Sequence, residues 1–127
     1  RKGRLTMAEY APIYFSADRI PVTTSAAVTA GQLLYISGND TVAKTSAATG
    51  AWLGVAAHDA GSGAQVVIYT EGIHELAASG AIAAGARVCA AANGAVADFA
   101  SGTDYSQVVG IALSAAANSK VRVYLRA

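Results

Sequence analysis

Two stretches of the chain carry residue types that could do chemistry. Glu71-Gly72-Ile73-His74-Glu75-Leu76 gathers two carboxylates and an imidazole, and Ala57-His58-Asp59 sets an imidazole beside a carboxylate. The first would suit a metal, because a zinc-protease helix carries a second histidine four positions after the first and so turns both rings to one side. That position holds Ala78, and the motif fails. The second would suit a general base, but His58 stands at the end of an apolar run, just before Gly61-Ser62-Gly63, and reads as a turn histidine. Neither a Gly-x-Ser-x-Gly elbow nor a Gly-x-x-x-x-Gly-Lys phosphate loop is present. The single cysteine, Cys89, cannot form a disulfide within the chain and has no activating neighbour in sequence, so it reads as a small buried apolar residue. The sequence therefore predicts no catalytic set, no metal and no cofactor, and a protein that is not an enzyme.

The elements that hold these residues are β-strands. Alanine, present 31 times, favours helix, but glycine, Asn-Gly and Ser-Gly steps interrupt the chain about every ten residues, which suits short strands and turns. Alternation assigns faces. In Val121 to Arg126, the side chains of Val121, Val123 and Leu125 point inward and those of Arg122, Tyr124 and Arg126 outward. Val66 and Ile68 likewise point inward, which leaves Tyr69 on the outer face.

The chain also repeats itself. Val28-Thr29-Ala30-Gly31 returns as Ile82-Ala83-Ala84-Gly85, and Asn39 and Val42 return as Asn93 and Val96, at an offset of 54. Leu53-Gly54-Val55-Ala56 returns as Val109-Gly110-Ile111-Ala112 at 56, and Val66 to Tyr69 returns as Val121 to Tyr124 at 55. An ordered series with small register changes predicts two duplicated β units, at about residues 28–72 and 82–127, packed in one domain. The repeat sets Ser114 opposite His58, Tyr124 opposite Tyr69 and Gly110 opposite Gly54. Tyr69 and Tyr124, exposed at matching registers, are candidates for a subunit interface. The two mid-strand glycines mark a bulge or a close backbone approach, and hence a tightly curved sheet or barrel.

A chain of 127 residues fits one domain, since a folding unit usually has about 100–200. The net charge of +1 gives no general nucleic-acid footprint. Arg1, Lys2 and Arg4 form a local basic cluster, readable as a solvated tail or as an arm seated on an acidic partner. No run approaches the roughly 18 apolar residues of a membrane span, and the first residues lack a signal-peptide pattern. These features predict no nucleic-acid partner, no membrane partner and synthesis in a cytoplasm.

Residues 1–24 lie before the duplicated domain, which occupies residues 25–127. Within them Ala8 to Thr24 concentrates Tyr10, Tyr14 and Phe15 between Pro12 and Pro21. Each proline removes a backbone donor, so the segment suits an extended arm or an edge strand of its own barrel rather than a central strand. As an arm it would place Tyr10, Ile13, Tyr14, Phe15 and Arg19 against a partner, with the aromatic side chains as anchors.

The ordered blocks Val28 to Tyr35, Trp52 to Leu76, Ile82 to Val88 and Val108 to Leu125 resemble the capsid cement, or head decoration, proteins of tailed bacteriophages. In that family a Gly-Val-Ala strand, a short turn and a Val-x-Val strand lead into a Glu-Gly-Val-Phe-Glu-Leu-like step. The step here is Glu71 to Leu76, with His74 where the family has an apolar residue. The resemblance implies an all-β fold, a small β-barrel or β-tulip-like domain, commonly a homotrimer. It also implies a virion protein synthesised in the host cytoplasm, whose partner is the major capsid protein at three-fold and quasi-three-fold positions of an icosahedral shell. The residues leave one alternative open, a β-sandwich that binds carbohydrate or a receptor on a virion surface. Its site would need an exposed aromatic beside polar groups, and Trp52 is the single tryptophan.

Overall fold

Two apolar side chains in succession, Leu33 and Leu34, are both fully buried. In a strand, neighbours point to opposite faces, so a sheet that buries both is covered on both sides. The computed structural model describes residues 19–100 and 102–125 and shows how this arises.

Among the described residues ten strands follow one another: β1 Arg19–Thr24, β2 Leu33–Gly38, β3 Thr41–Lys44, β4 Trp52–Ala56, β5 Gln65–Tyr69, β6 Gly72–Ala77, β7 Arg87–Ala90, β8 Val96–Asp98, β9 Val108–Ala112 and β10 Lys120–Leu125. The first five close into a barrel in the order β1-β3-β2-β4-β5, and the last five form a sheet in the order β6-β10-β9-β7-β8. The protein is an all-β single small domain, with two short 3-10 turns at Ala92–Gly94 and Tyr105–Gln107.

The two halves share one ladder. β5 pairs antiparallel with β1 and with β4, as β10 does with β6 and with β9. β1 meets β3 in parallel at Thr24 and Val42, and the residue after β6 meets β8 in parallel at Ala78 and Val96. Loop bonds correspond as well. Thr24 N–H donates to Ala64 O at 2.8 Å and Ala78 N–H to Ser119 O at 2.9 Å; Gly31 N–H donates to Ala56 O at 2.9 Å and Gly85 N–H to Ala112 O at 2.8 Å. These pairs fall at the offsets of 54 to 56 seen in the sequence.

Arg19–Thr24, placed in the arm by the sequence reading, form β1 and close the barrel against Gln65–Tyr69. Of the two places considered for the segment, these residues take the one within their own barrel. Pro21 is tolerated because β1 meets β3 only at Thr23 and Thr24, so no donor toward β3 is needed two residues earlier. Thr24, buried at the strand's end, donates through Oγ1 to Gly61 O at 2.5 Å and fixes β1 to the turn before β5.

Curvature comes from a bulge at the same place in each half. Leu34 faces Gly54 and Tyr35 faces Trp52, leaving Leu53 as the extra residue. Val88 faces Gly110 and Cys89 faces Val108, leaving Val109. A bulge bends the strand and increases its twist. At Gly54 and Gly110 the bend brings the backbone so near the next strand that a Cβ would run into the carbonyl oxygen of Tyr69 or Tyr124.

Alternation holds at the described positions: Val66, Ile68, Val121, Val123 and Leu125 are buried, and Arg122 and Tyr124 are exposed, while Arg126 lies outside the described residues. Leu34, Val42, Ala56, Val66 and Ile68 fill the barrel. Leu33 and Val55, on the barrel's outside, join Leu76, Val88, Val109, Val121 and Val123 in the core of the second half. Polar bonds line the same junction. Thr45, buried, donates from Oγ1 to Ala91 O at 2.7 Å, and Gly94 N–H donates to Thr45 O at 3.0 Å.

Candidate functional site

The residues first singled out for chemistry are committed to local bonds. His58 sits after β4, where its Nε2 accepts from the Val67 N–H at 3.2 Å. That assignment puts the proton on Nδ1, which donates to Asp59 O at 2.9 Å, so the ring is a brace across the barrel wall. His74, half-buried on β6, bonds through Nε2 to the Glu71 carbonyl oxygen at 3.0 Å. Its ring stacks on Tyr69 at a centroid distance of 5.8 Å. Among the described residues no group of three or more His, Cys, Asp or Glu side chains could hold a metal ion. Cys89 is half-buried in β7. Burial, and then the Asp98 carboxylate nearby, push its thiol above the usual value, which keeps it protonated and a poor nucleophile.

The surface is more informative. Tyr69 and Tyr124 occupy the same place in their halves, each opposite the fourth residue of a neighbouring strand: Val55 for Tyr69, Ile111 for Tyr124. Their surroundings differ. Tyr69 is half-buried beneath His74, whereas Tyr124 is exposed on the outer face of the second sheet. Arg19, exposed, opens β1 in register with Tyr69. Tyr10, Ile13, Tyr14 and Phe15 lie outside the described residues.

Sequence reasoning missed Ile73, Ile111 and Leu113. Ile73 and Leu113 are exposed and Ile111 is half-buried, and the three share the outer face of the second sheet with Tyr124. The signal was present in Gly72 to Leu76, where Leu76 is buried and Ile73 and Glu75 are not. The two carboxylates and the imidazole of that stretch obscure its strand period by pointing to a metal site.

Trp52 lies at the seam between the halves, half-buried, with its indole N–H donating to Ser106 O at 3.3 Å. It lines an open groove of ≈ 620 Å³ with Ile20, Leu53, Glu71, Tyr105 and Val108. Its one hydrogen-bonding atom is thus already used to hold the 3-10 turn at Tyr105–Gln107 against the barrel.

A closed barrel joined to a second sheet of the same ladder, with an apolar sheet face turned outward, defines a class of small all-β modules. The chain belongs to the phage cement protein family, which matches residues 15–127. Among solved structures it is similar to the head fiber gp8.5 N base of bacteriophage phi29, with a TM-score of 0.64 and 22% identity over 85% of this chain and 92% of that one. That likeness shows the same fold. No curated protein matches the chain.

Proposed function

We propose that the protein is a structural component of a phage virion that binds the assembled capsid and stabilises it, with the major capsid protein as its partner. The observation that carries this reading is the family match over residues 15–127, which takes in both sheets. The likeness to a phage head fiber base supports it through the fold. A ligand that binds the assembled shell and not its parts favours assembly by mass action, and many equivalent sites multiply that effect. Three-fold and quasi-three-fold positions on an icosahedral shell suit a homotrimer, and we assign the protein to them.

In this reading the contact with the shell is made by the segment before the barrel. Tyr10, Ile13, Tyr14 and Phe15 supply apolar anchors, since aromatic side chains dominate binding hot spots, and Arg19 offers a charge where the barrel begins. Of the two tyrosines marked for subunit contact, Tyr124 retains the exposed surface. The two halves are read as copies of one duplicated unit, a reading supported by their common ladder and loop bonds.

The test is co-sedimentation with undecorated capsids. The full chain should pellet with capsids at saturable stoichiometry and raise their resistance to heat. A folded protein that stays in the supernatant at every concentration overturns the proposal.

A further inference from the structure

The first strand of each half has one paired side and one side that is mostly open. β1 pairs along its length with β5, and β6 along its length with β10. On the other side each meets a strand only at its end: β1 meets β3 at Thr23 and Thr24, and Ala78, just past β6, meets β8 at Val96. The bond that closes this corner is the same in both halves. Ser25 N–H donates to Val42 O at 2.9 Å and Ser79 N–H to Val96 O at 2.7 Å. Before that corner no described strand lies beside β1 or β6 on this side.

The register tells which backbone groups face the open side. Thr24 N–H donates to Ala64 O and Ala78 N–H to Ser119 O, each straight across the ladder. In an antiparallel strand both groups of one residue point to the same side, and successive residues alternate. Val22 and Ile20 therefore face β5, while Leu76 and His74 face β10. Arg19 and Pro21 face the open side of β1, and Ile73 and Glu75, their counterparts at the offset of 54, face the open side of β6. Proline has no N–H to offer and arginine brings a charge, two devices that keep a sheet edge from pairing with another chain. Ile73 and Glu75 keep both N–H groups and both carbonyls, and no described residue bonds to them on that side. The place is accessible, since Glu75 is exposed and Ile73 is 60% exposed, with Tyr124 in register beside it on the same outer face.

We propose that the open edge of β6 takes an extended segment of the major capsid protein as an added strand, paired through the backbone at Ile73 and Glu75. Donors and acceptors repeating every second residue are complementary to a strand, whose own groups repeat at that spacing, and not to a helix, whose groups are already used internally. Alternate side chains of the incoming strand would lie on the outer face next to Ile73, where an apolar residue is favoured by its cross-strand neighbour. A second copy of this chain suits the edge less well. Two β6 strands, paired antiparallel so that both free residues of each are used, would set Glu75 of one against Ile73 of the other. The identity of the partner rests on the capsid-binding reading, whereas the mode of contact rests on the register of β6.

The experiment measures amide exchange by mass spectrometry on fragments spanning Gly72–Ala77, in the free full-length chain and in the chain pelleted with undecorated capsids. In the free chain the Ile73 and Glu75 amides should exchange fast and those of His74 and Leu76 slowly. On capsids the fast pair should slow by about tenfold or more, as amides do when they enter a ladder. Glu75→Pro copies the first half: it removes an N–H that makes no bond to β10, so circular dichroism and melting should stay near wild type. Capsid affinity should fall about tenfold, because a carbonyl of the incoming strand is left without its donor. Glu75→Ala keeps the N–H and should bind as the wild type does. A wild-type chain that never pellets overturns the capsid reading and this one with it. A wild-type chain that pellets while the Ile73 and Glu75 amides still exchange at the free rate overturns this one alone, as does equal loss in Glu75→Ala and Glu75→Pro. Slow exchange of the two amides without capsids also overturns it. In that case an unchanged mass by light scattering would show that residues 1–18 of the same chain cover the edge, and a doubled mass that a second copy does.

Discussion

Leu33 and Arg87 occupy the same position on the same strand of two like sheets, yet one is sealed in the core and the other faces solvent. Val55 and Ile111 make a second such pair, buried and half-buried. The ladder sets where a side chain points, and what lies over the sheet sets whether it is buried. Where the outer face is covered, at Leu33 and Val55, β2 becomes a two-sided core strand, with Leu33 and Leu34 inserting into different apolar clusters. A half whose outer face is open keeps a polar residue, Arg87, next to the buried Val88. The second arrangement leaves a surface for another molecule.

The comparison breaks most sharply under a charge. Leu33→Asp would bury an unpaired carboxylate at the junction, at a cost of several kcal/mol, enough to remove a large part of a typical domain's stability of about 5–15 kcal/mol. Arg87→Asp, at the matching position, should leave the thermal melt of the isolated chain within a few degrees of wild type. Equal effects on the two melts would show that the halves are covered alike.

A smaller effect separates the faces of one strand. Leu76→Ala should cost roughly 2–5 kcal/mol through lost transfer energy and a cavity. Ile73→Ala, three residues earlier on the same strand but exposed, should stay within about 0.5 kcal/mol. Urea titration of both variants measures the difference. Gly54→Ala and Gly110→Ala put a methyl against the carbonyls of Tyr69 and Tyr124. Overpacking of this kind costs about 1–3 kcal/mol, and the two losses should be similar, since the bulge is common to both halves. The smallest expected loss among the buried positions belongs to the junction's polar tie. Thr45→Val keeps the shape and removes the bond to Ala91 O, leaving that carbonyl short of a donor, for about 1 kcal/mol.

Much of the fold was legible because a period of two is a local property. Val66 to Tyr69 and Val121 to Leu125 declared their strands and faces, and Gly54 and Gly110 declared the bend. The partnership of β1 with β6 was not legible. At the offset of 54, Ile20 corresponds to His74 and Pro21 to Glu75, so no identity marks the pair and only the buried or half-buried Val22 and Leu76 share a character. Pro21 also argued for an arm, and only the pairing pattern reveals that its missing donor is not required. The open sheet face was hidden for a different reason. Val55 and Ile111 look alike in sequence, and the difference between them lies in how one sheet packs on the other, which no strand's own period records. The contrast of Leu33-Leu34 with Arg87-Val88 was the one readable trace of it, since a strand buried on both faces loses its alternation.

If this domain holds a phage shell through residues that precede its barrel, removing them must weaken that hold. The direct measurement is co-sedimentation with undecorated capsids of the full chain and of a chain lacking residues 1–18, cut just before β1 so that the barrel can still close, with circular dichroism confirming the fold. The shortened chain should fold, melt within a few degrees of the full chain, and lose at least tenfold in affinity for the shell. A folded, shortened chain that binds capsids as tightly as the full chain would contradict it.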